Sequence, residues 1–275
     1  MATRAQDRLA AIATLPDKRI DLAEAALWIA HLEYPDLDVD AYLRRLDDLA
    51  AEAWERIAPV PSVPEKIAHL NHFLFVEYGF QGNRDDFYDP RNSFLNEVID
   101  RRKGIPISLG VVYAEVGRRL GLPIVGVGFP GHFLVKHASH PEILVDPFHG
   151  TVVTAADCAR RLEESYGPGT RLDPQMLRPA QPREILARML RNLKQIYVGR
   201  DDLARALVCV NAILLFSPDD GAEFRDRGIL YRKLECFAPA LRDLERYLTL
   251  APDDDAADEI RASLSDLRRQ VERLQ

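Results

Sequence analysis

Residues 104–137, GIPISLGVVYAEVGRRLGLPIVGVGFPGHFLVKH, change hydrophobic period half-way. Up to Leu120 the apolar residues Leu109, Val112, Tyr113, Val116 and Leu120 recur at helical spacing, with Pro106 in the first turn, where a proline fits. Gly121 and Pro123 stop the helix. After them IVGVGF (124–129), HFLVKH (132–137) and EILVDPF (142–148) are short, rich in β-formers and separated by Pro, Gly, Ser and His. A helix followed by a small antiparallel sheet predicts an α+β core.

The stretch before it reads as helix. Leu22, Ala25, Ala26, Ile29 and Leu32 form one stripe that Pro35 ends. Tyr42, Leu43, Leu46, Leu49 and Trp54 form a second, capped by Asp38 or Asp40, and a third helix begins near Pro64. NSFLNEVIDRRKG (92–104) predicts a helix capped by Asn92 or Ser93 and stopped at Gly104. A short helix over AADCARRLEESYG (155–167) precedes a wrapping arm.

The C-terminal part repeats at an offset of 34 residues. Tyr197 matches Tyr231, Ala204 matches Ala238, Ala206-Leu207 match Ala240-Leu241, and Pro218-Asp219-Asp220 match Pro252-Asp253-Asp254. That is the period of a tetratricopeptide helix pair. We therefore expect a core over 1–180 and repeats with a capping helix over 181–275. Cys209 and Cys236, on repeat helices, are expected to be small buried residues.

Composition narrows the function classes. Of 275 residues 47% are hydrophobic, enough for a sizeable core, and the net charge is −7. An acidic chain lacks the basic stripe of a nucleic-acid binder, and the Arg-Arg pairs at 44–45, 101–102, 118–119, 160–161 and 268–269 read as solvated helix faces. No apolar run reaches the length of a membrane span. The three widely spaced cysteines fit no disulfide or zinc pattern. We expect a cytoplasmic protein that binds neither nucleic acid nor membrane and needs no cofactor.

The hairpin 129–148 carries the candidate chemistry. Pairing across 138–141 sets His137 opposite Glu142 and Phe133 opposite Asp146. That brings His132 and Asp146 to one end. An aspartate there accepts Nδ1–H and leaves Nε2 as a base. A nucleophile would stand at the helix start facing them.

These segments resemble the transglutaminase-like superfamily, with its papain-like core. Its members carry a Gly-x-Cys at a helix start, a GH strand and a DP strand. NSFLNEVIDRRKGIPISL, PGHF, VDPF and the repeats together resemble, more closely, the bacterial SirB-type family, roughly over residues 30–255. The resemblance implies that His132 and Asp146 hold the catalytic histidine and aspartate places and that Pro106 stands where the cysteine belongs. It also implies a regulatory role.

Three substitutes for the missing thiol remain open. Ser108 lies in the first helical turn, where it completes a Ser108-His132-Asp146 triad or bonds free backbone groups. Tyr113 suits the core, and Cys158 suits a buried thiol. A metal site among His132, His137, His140, His149, Glu142 and Asp146 is disfavoured, since His132 and His137 are an odd number apart on one strand; no metal is expected. Asn92, Asn96, Arg101 and Arg102 precede the cleft helix and either line a groove for a peptide or carboxylate, or cap and face solvent. The expected function is a non-catalytic, transglutaminase-like interaction module that takes a protein or peptide through the cleft and the repeats. The alternative is a hydrolase or acyltransferase using the Ser108 triad.

Overall fold

A computed structural model describes residues 3–273. The chain divides into two compact units, one ending at Met189 and one beginning at Leu190.

In the first unit four helices come first: α1 (Arg4–Ala13), α2 (Leu22–Ala30), α3 (Val39–Ile57) and α4 (Val63–Asn71). Asp38 caps α3, its carboxylate accepting from the Ala41 N–H. α2 is buried at every residue but Glu24, so it supplies an inner layer. Trp54 leaves the expected stripe: it is 54% exposed, while Leu46, Leu49, Ala53 and Ile57 turn inward. A π-helical turn, His72–Glu77, extends α4.

A two-residue strand, β1 (Gln81–Gly82), pairs in parallel with β2 (Lys103–Gly104). Between them lie a 3₁₀ turn, Pro90–Asn92, and α5 (Leu95–Arg101). Two expectations fail here. Phe94 occupies the N-cap of α5 instead of Asn92 or Ser93. The helix ends at Arg102, which takes the left-handed conformation (φ 57°) before Gly104 is reached.

α6 (Pro106–Arg119) is the central helix, buried from Pro106 to Gly117. It packs on an antiparallel meander of β3 (Ile124–Val127), β4 (Leu134–His137), β5 (His140–Asp146) and β6 (Thr151–Val153). β6 is a strand that the hydrophobic pattern did not signal. Gly110 and Gly117, seven residues apart, share the helix face towards the sheet. A Cβ on Gly110 would stand 2.7 Å from the Phe133 ring, and one on Gly117 2.6 Å from Ile124. Glycine at both positions sets how closely helix and sheet approach.

The hairpin register differs from the expected one. Val135 faces Val145 and Lys136 faces Leu144, but His137 pairs with His140, so the ladder is broken between Lys136 and His137. Pro141 lies in the skipped stretch and has no N–H to offer.

α7 (Ala155–Tyr166) starts at a capping box in which Thr154 and Asp157 bond each other's backbone. α8 (Pro182–Gly199) runs through the division between the units.

The second unit continues with α9 (Leu203–Phe216), α10 (Gly221–Lys233), α11 (Phe237–Leu250) and α12 (Ala257–Glu272). The 34-residue repeat is visible in the backbone. Asp201 and Glu235, both non-glycine, take φ of 56° and 59° at equivalent turns. Ala206 and Ala240 are fully buried, as close helix approach requires. Cys209 is buried as expected, but Cys236 is exposed: it is the N-cap residue of α11, outside the apolar face. Among the described residues no helix is long and apolar enough to cross a membrane.

Candidate functional site

The site is built around Asp146, the last residue of β5, which is completely buried. His132 Nε2 lies 2.9 Å from its Oδ1, and His149 Nδ1 lies 2.8 Å from its Oδ2. Arg161, from α7, donates to Oδ2 at 2.8 Å. The backbone N–H groups of Phe148 and His149 donate to Oδ1 at 3.0 and 3.3 Å. Burial alone would raise the pKa of this carboxyl. The hydrogen bond and charge of His132, followed by the bonds from His149 and Arg161, outweigh burial and hold it far below the carboxylate range.

His132 and Asp146 are thus brought together, with the ring reversed from expectation. Nε2, not Nδ1, meets the carboxylate, so Nδ1 is the nitrogen left over. The turn before β4 sets this orientation. Gly131 has φ 65°, and the His132 N–H closes the turn on the Phe129 carbonyl at 3.0 Å. Arg188 of α8 then fastens the turn from outside, donating to His132 O at 2.6 Å and Phe129 O at 3.2 Å. Its guanidinium also lies 5.8 Å from the Phe133 ring centroid. Burial lowers the pKa of Arg188, and its hydrogen bonds go to carbonyls, not to a carboxylate.

Aromatic rings wall the site. Phe148 meets His132 edge to face at 6.3 Å and Phe87 at 5.9 Å. Phe148 also covers Gly82, where a Cβ would clash with the ring at 2.5 Å. Phe87 and Tyr88 form an exposed lip.

Pro106, which the resemblance sets at the place of the cysteine, is the first residue of α6 and has neither thiol, hydroxyl nor N–H. Gly110, one turn on, packs against Phe133, the neighbour of His132 in sequence. Ser108 is not joined to His132. It is fully buried, its hydroxyl donates to the Asn92 carbonyl at 2.6 Å, and its oxygen accepts from the Ile105 N–H at 3.1 Å. Cys158 is packed among Val127, Phe129, Leu134, Leu144, Val153 and Leu162. Burial pushes its thiol up, against a smaller pull down from Arg161. Tyr113 is completely buried and stacks on Phe75 at 5.9 Å; burial drives its hydroxyl well above the ordinary 10.0.

Of the expected groove residues, Asn92 is committed internally. It accepts from Asn83 Nδ2 at 3.0 Å and donates to the Asp86 carbonyl at 2.7 Å. Arg102 donates to the Tyr78 carbonyl and lies 4.4 Å above the Tyr78 ring. Arg101 pairs with buried Asp89 at 3.3 Å. Unused bonding capacity is left at Asn96 Oδ1 and Arg101 Nη1, both buried without a partner among the described residues. Sequence reasoning missed Arg161, taken for a solvated face, and Arg188. It also placed His149 only in a loose group, although the Asp-Pro-Phe-His spacing sets both ends on one turn.

Comparison with known proteins gives the family. A family model described as Transglutaminase-like superfamily matches residues 40–191, and one described as Tetratricopeptide repeat matches residues 193–265. A "UPF0162 protein" of Xylella fastidiosa is 42% identical over 261 residues, covering 93% of each chain. "Protein SirB1" of Salmonella typhimurium is 30% identical over 236 residues, covering 85% of this chain and 87% of that one. The chain belongs to this UPF0162/SirB1 family. A "UPF0162 protein" of Vibrio cholerae is 33% identical over 253 residues, with 90% and 93% coverage. No solved structure matches. The transglutaminase-like core is the one that the resemblance implies, and the repeats that follow it are the ones that the offset of 34 residues predicts.

Proposed function

We propose that this SirB1-type protein is a non-catalytic binding module acting in the cytoplasm. An extended peptide segment of a partner lies beside His132, between the Phe87–Tyr88 lip and the His149 turn. The tetratricopeptide unit holds a second part of the partner, the usual use of such repeats. The role is regulatory: occupancy, not turnover, is the output.

One observation carries the reading. The place that the resemblance assigns to the attacking cysteine is proline, and the nearest hydroxyl on that helix, Ser108, donates its hydrogen bond to the Asn92 carbonyl. A His-Asp pair without a nucleophile has no covalent route, but it still orders two turns. Arg101 Nη1, with unmet polar capacity, is the proposed donor to a backbone carbonyl or a carboxylate of the peptide, and Asn96 Oδ1 the proposed acceptor for one of its N–H groups.

The test has two arms. A photo-crosslinking residue placed at Tyr88, and separately at Ile229 in the repeats, should capture the same partner in growing bacteria. Intact mass after treatment with a fluorophosphonate should show no adduct. A covalent adduct lost in Ser108→Ala would overturn the reading and restore the hydrolase.

A further inference from the structure

We propose that His132, Asp146 and His149 form a binding site for one divalent transition-metal ion of the zinc type. The proposal stands apart from the binding role above, because it needs only the three side chains and their surroundings.

The first argument is spatial. Among the described residues these three are the one group of three or more His, Cys, Asp or Glu whose donor atoms all gather, here within 4.8 Å of one another. Ligands held about 2.0–2.2 Å from a tetrahedral zinc stand roughly 3.3–3.5 Å apart. The present separations of 2.9 Å and 2.8 Å from the carboxylate are a little shorter than that. A small opening at the carboxylate and rotation of His149, which is 38% exposed, make the set tetrahedral.

The second argument concerns hydrogen-bond capacity. A carboxylate offers about four lone-pair directions. Asp146 receives five donors: His132 Nε2, His149 Nδ1, Arg161 Nη2 and the Phe148 and His149 backbone N–H groups. One is in surplus, and the two ring donors are the pair a single cation can replace. On binding, each neutral ring presents its lone pair at Nε2 (His132) or Nδ1 (His149) and carries its proton on the other nitrogen. Those nitrogens, His132 Nδ1 and His149 Nε2, have no hydrogen-bond partner among the described residues, and both side chains reach solvent.

The third argument is support around the ligands. Arg161 and the two backbone N–H groups remain on Asp146 and hold the carboxylate for the metal, the outer contacts that metal centres depend on. Two imidazoles and one carboxylate suit zinc and similar ions and not magnesium or calcium, which prefer oxygen alone. With three protein ligands, the fourth position opens to solvent.

The neighbouring histidines serve as a control. His137 and His140 lie 5.2 Å apart at the hairpin tip, but His137 Nδ1 already accepts from the Ser139 N–H. Tag-free, chelator-stripped full-length protein is titrated with zinc chloride in a calorimeter and with cobalt(II) in a spectrometer. One zinc per chain is expected, with visible cobalt bands of a tetrahedral site. His149→Ala should weaken zinc at least tenfold and abolish the bands; His140→Ala should change neither. Circular dichroism checks that the His149→Ala protein is folded. Absence of stoichiometric zinc binding, or equal affinity in wild type and His149→Ala, overturns the proposal. So does loss of binding in His140→Ala.

Discussion

Replacing Asp146 with asparagine tests how much of the first unit rests on one carboxylate. The change preserves shape and removes the charge. The asparagine keeps an oxygen for the Phe148 and His149 N–H groups but turns an amide N–H₂ towards Arg161, donor against donor. A hydrogen bond to a charged group contributes about 1.5–3 kcal/mol, against about 0.5–1.5 for a neutral one. The Arg161 bond is lost outright, though at the low end of its range, because that side chain is about one-third exposed. The bonds from His132 and the backbone fall to neutral strength. Burying an amide costs less than burying a carboxylate, which offsets part of the loss. Removing one member of a buried pair costs about 3–5 kcal/mol. With Arg161 partly solvated, the lower end, about 3 kcal/mol, is expected. For a unit of this size that lowers the melting temperature by roughly 6–12 °C. Urea denaturation with chelator present, followed by far-ultraviolet circular dichroism, measures it free of any metal contribution. A loss below about 1 kcal/mol would refute the account of Asp146 as the centre of the site.

Three further outcomes are expected. Ser108→Ala removes a buried donor to Asn92 and the acceptor for Ile105, so urea titration should show a loss of about 1–3 kcal/mol. His137 is buried, with His140 and Glu142 facing it across the hairpin tip, and burial followed by His140 lowers its pKa against an opposing pull from Glu142. The unfolded chain therefore binds that proton more readily, so stability is full above the ordinary 6.5 and falls as pH drops below it. His137→Gln should flatten this part of the pH–stability curve between pH 7 and 5, and an unchanged slope would count against the burial argument. In the repeats, Glu235 holds a left-handed conformation at the turn after α10 that suits glycine. Glu235→Gly should stabilise the second unit by roughly 0.5–1 kcal/mol, read as a rise in its thermal transition.

What the sequence made legible depended on whether a feature was local. α6 was bracketed by its own residues, Pro106 at the start and Gly121 after the end, and its limits follow. The repeats announced themselves because a 34-residue offset needs no knowledge of packing. His132 and Asp146 came together even though the expected register was wrong, since on their side of the break the observed pairing differs from it by one residue only. The nitrogen facing Asp146 was not legible. It depends on a positive φ at Gly131 and on Arg188, which is 56 residues further along the chain. Arg161 escaped for a similar reason: an Arg-Arg pair on an amphipathic helix looks solvated until a strand end 15 residues earlier is placed against it. Trp54 shows the converse error, a helical stripe extended one residue too far into solvent.

The same geometry separates stability from recognition. His132 is held by its own turn, by Arg188 and by Asp146, and Asp146 in turn by Arg161 and the 146–149 turn. A change at any buried member of that chain disturbs both the fold of the sheet end and whatever the cleft receives. Loss of partner binding in Asp146→Asn or Arg188→Ala would therefore not distinguish a contact from a collapse. Tyr88 differs. It is 71% exposed and does not carry the backbone of the His132 turn. Its substitution should leave the unfolding free energy within about 0.5 kcal/mol of wild type, the range of ordinary surface changes. Reduced partner capture by Tyr88→Ala at unchanged stability would localise the peptide to the aromatic lip. Unchanged capture at unchanged stability would move recognition away from the lip and leave the repeats to account for it.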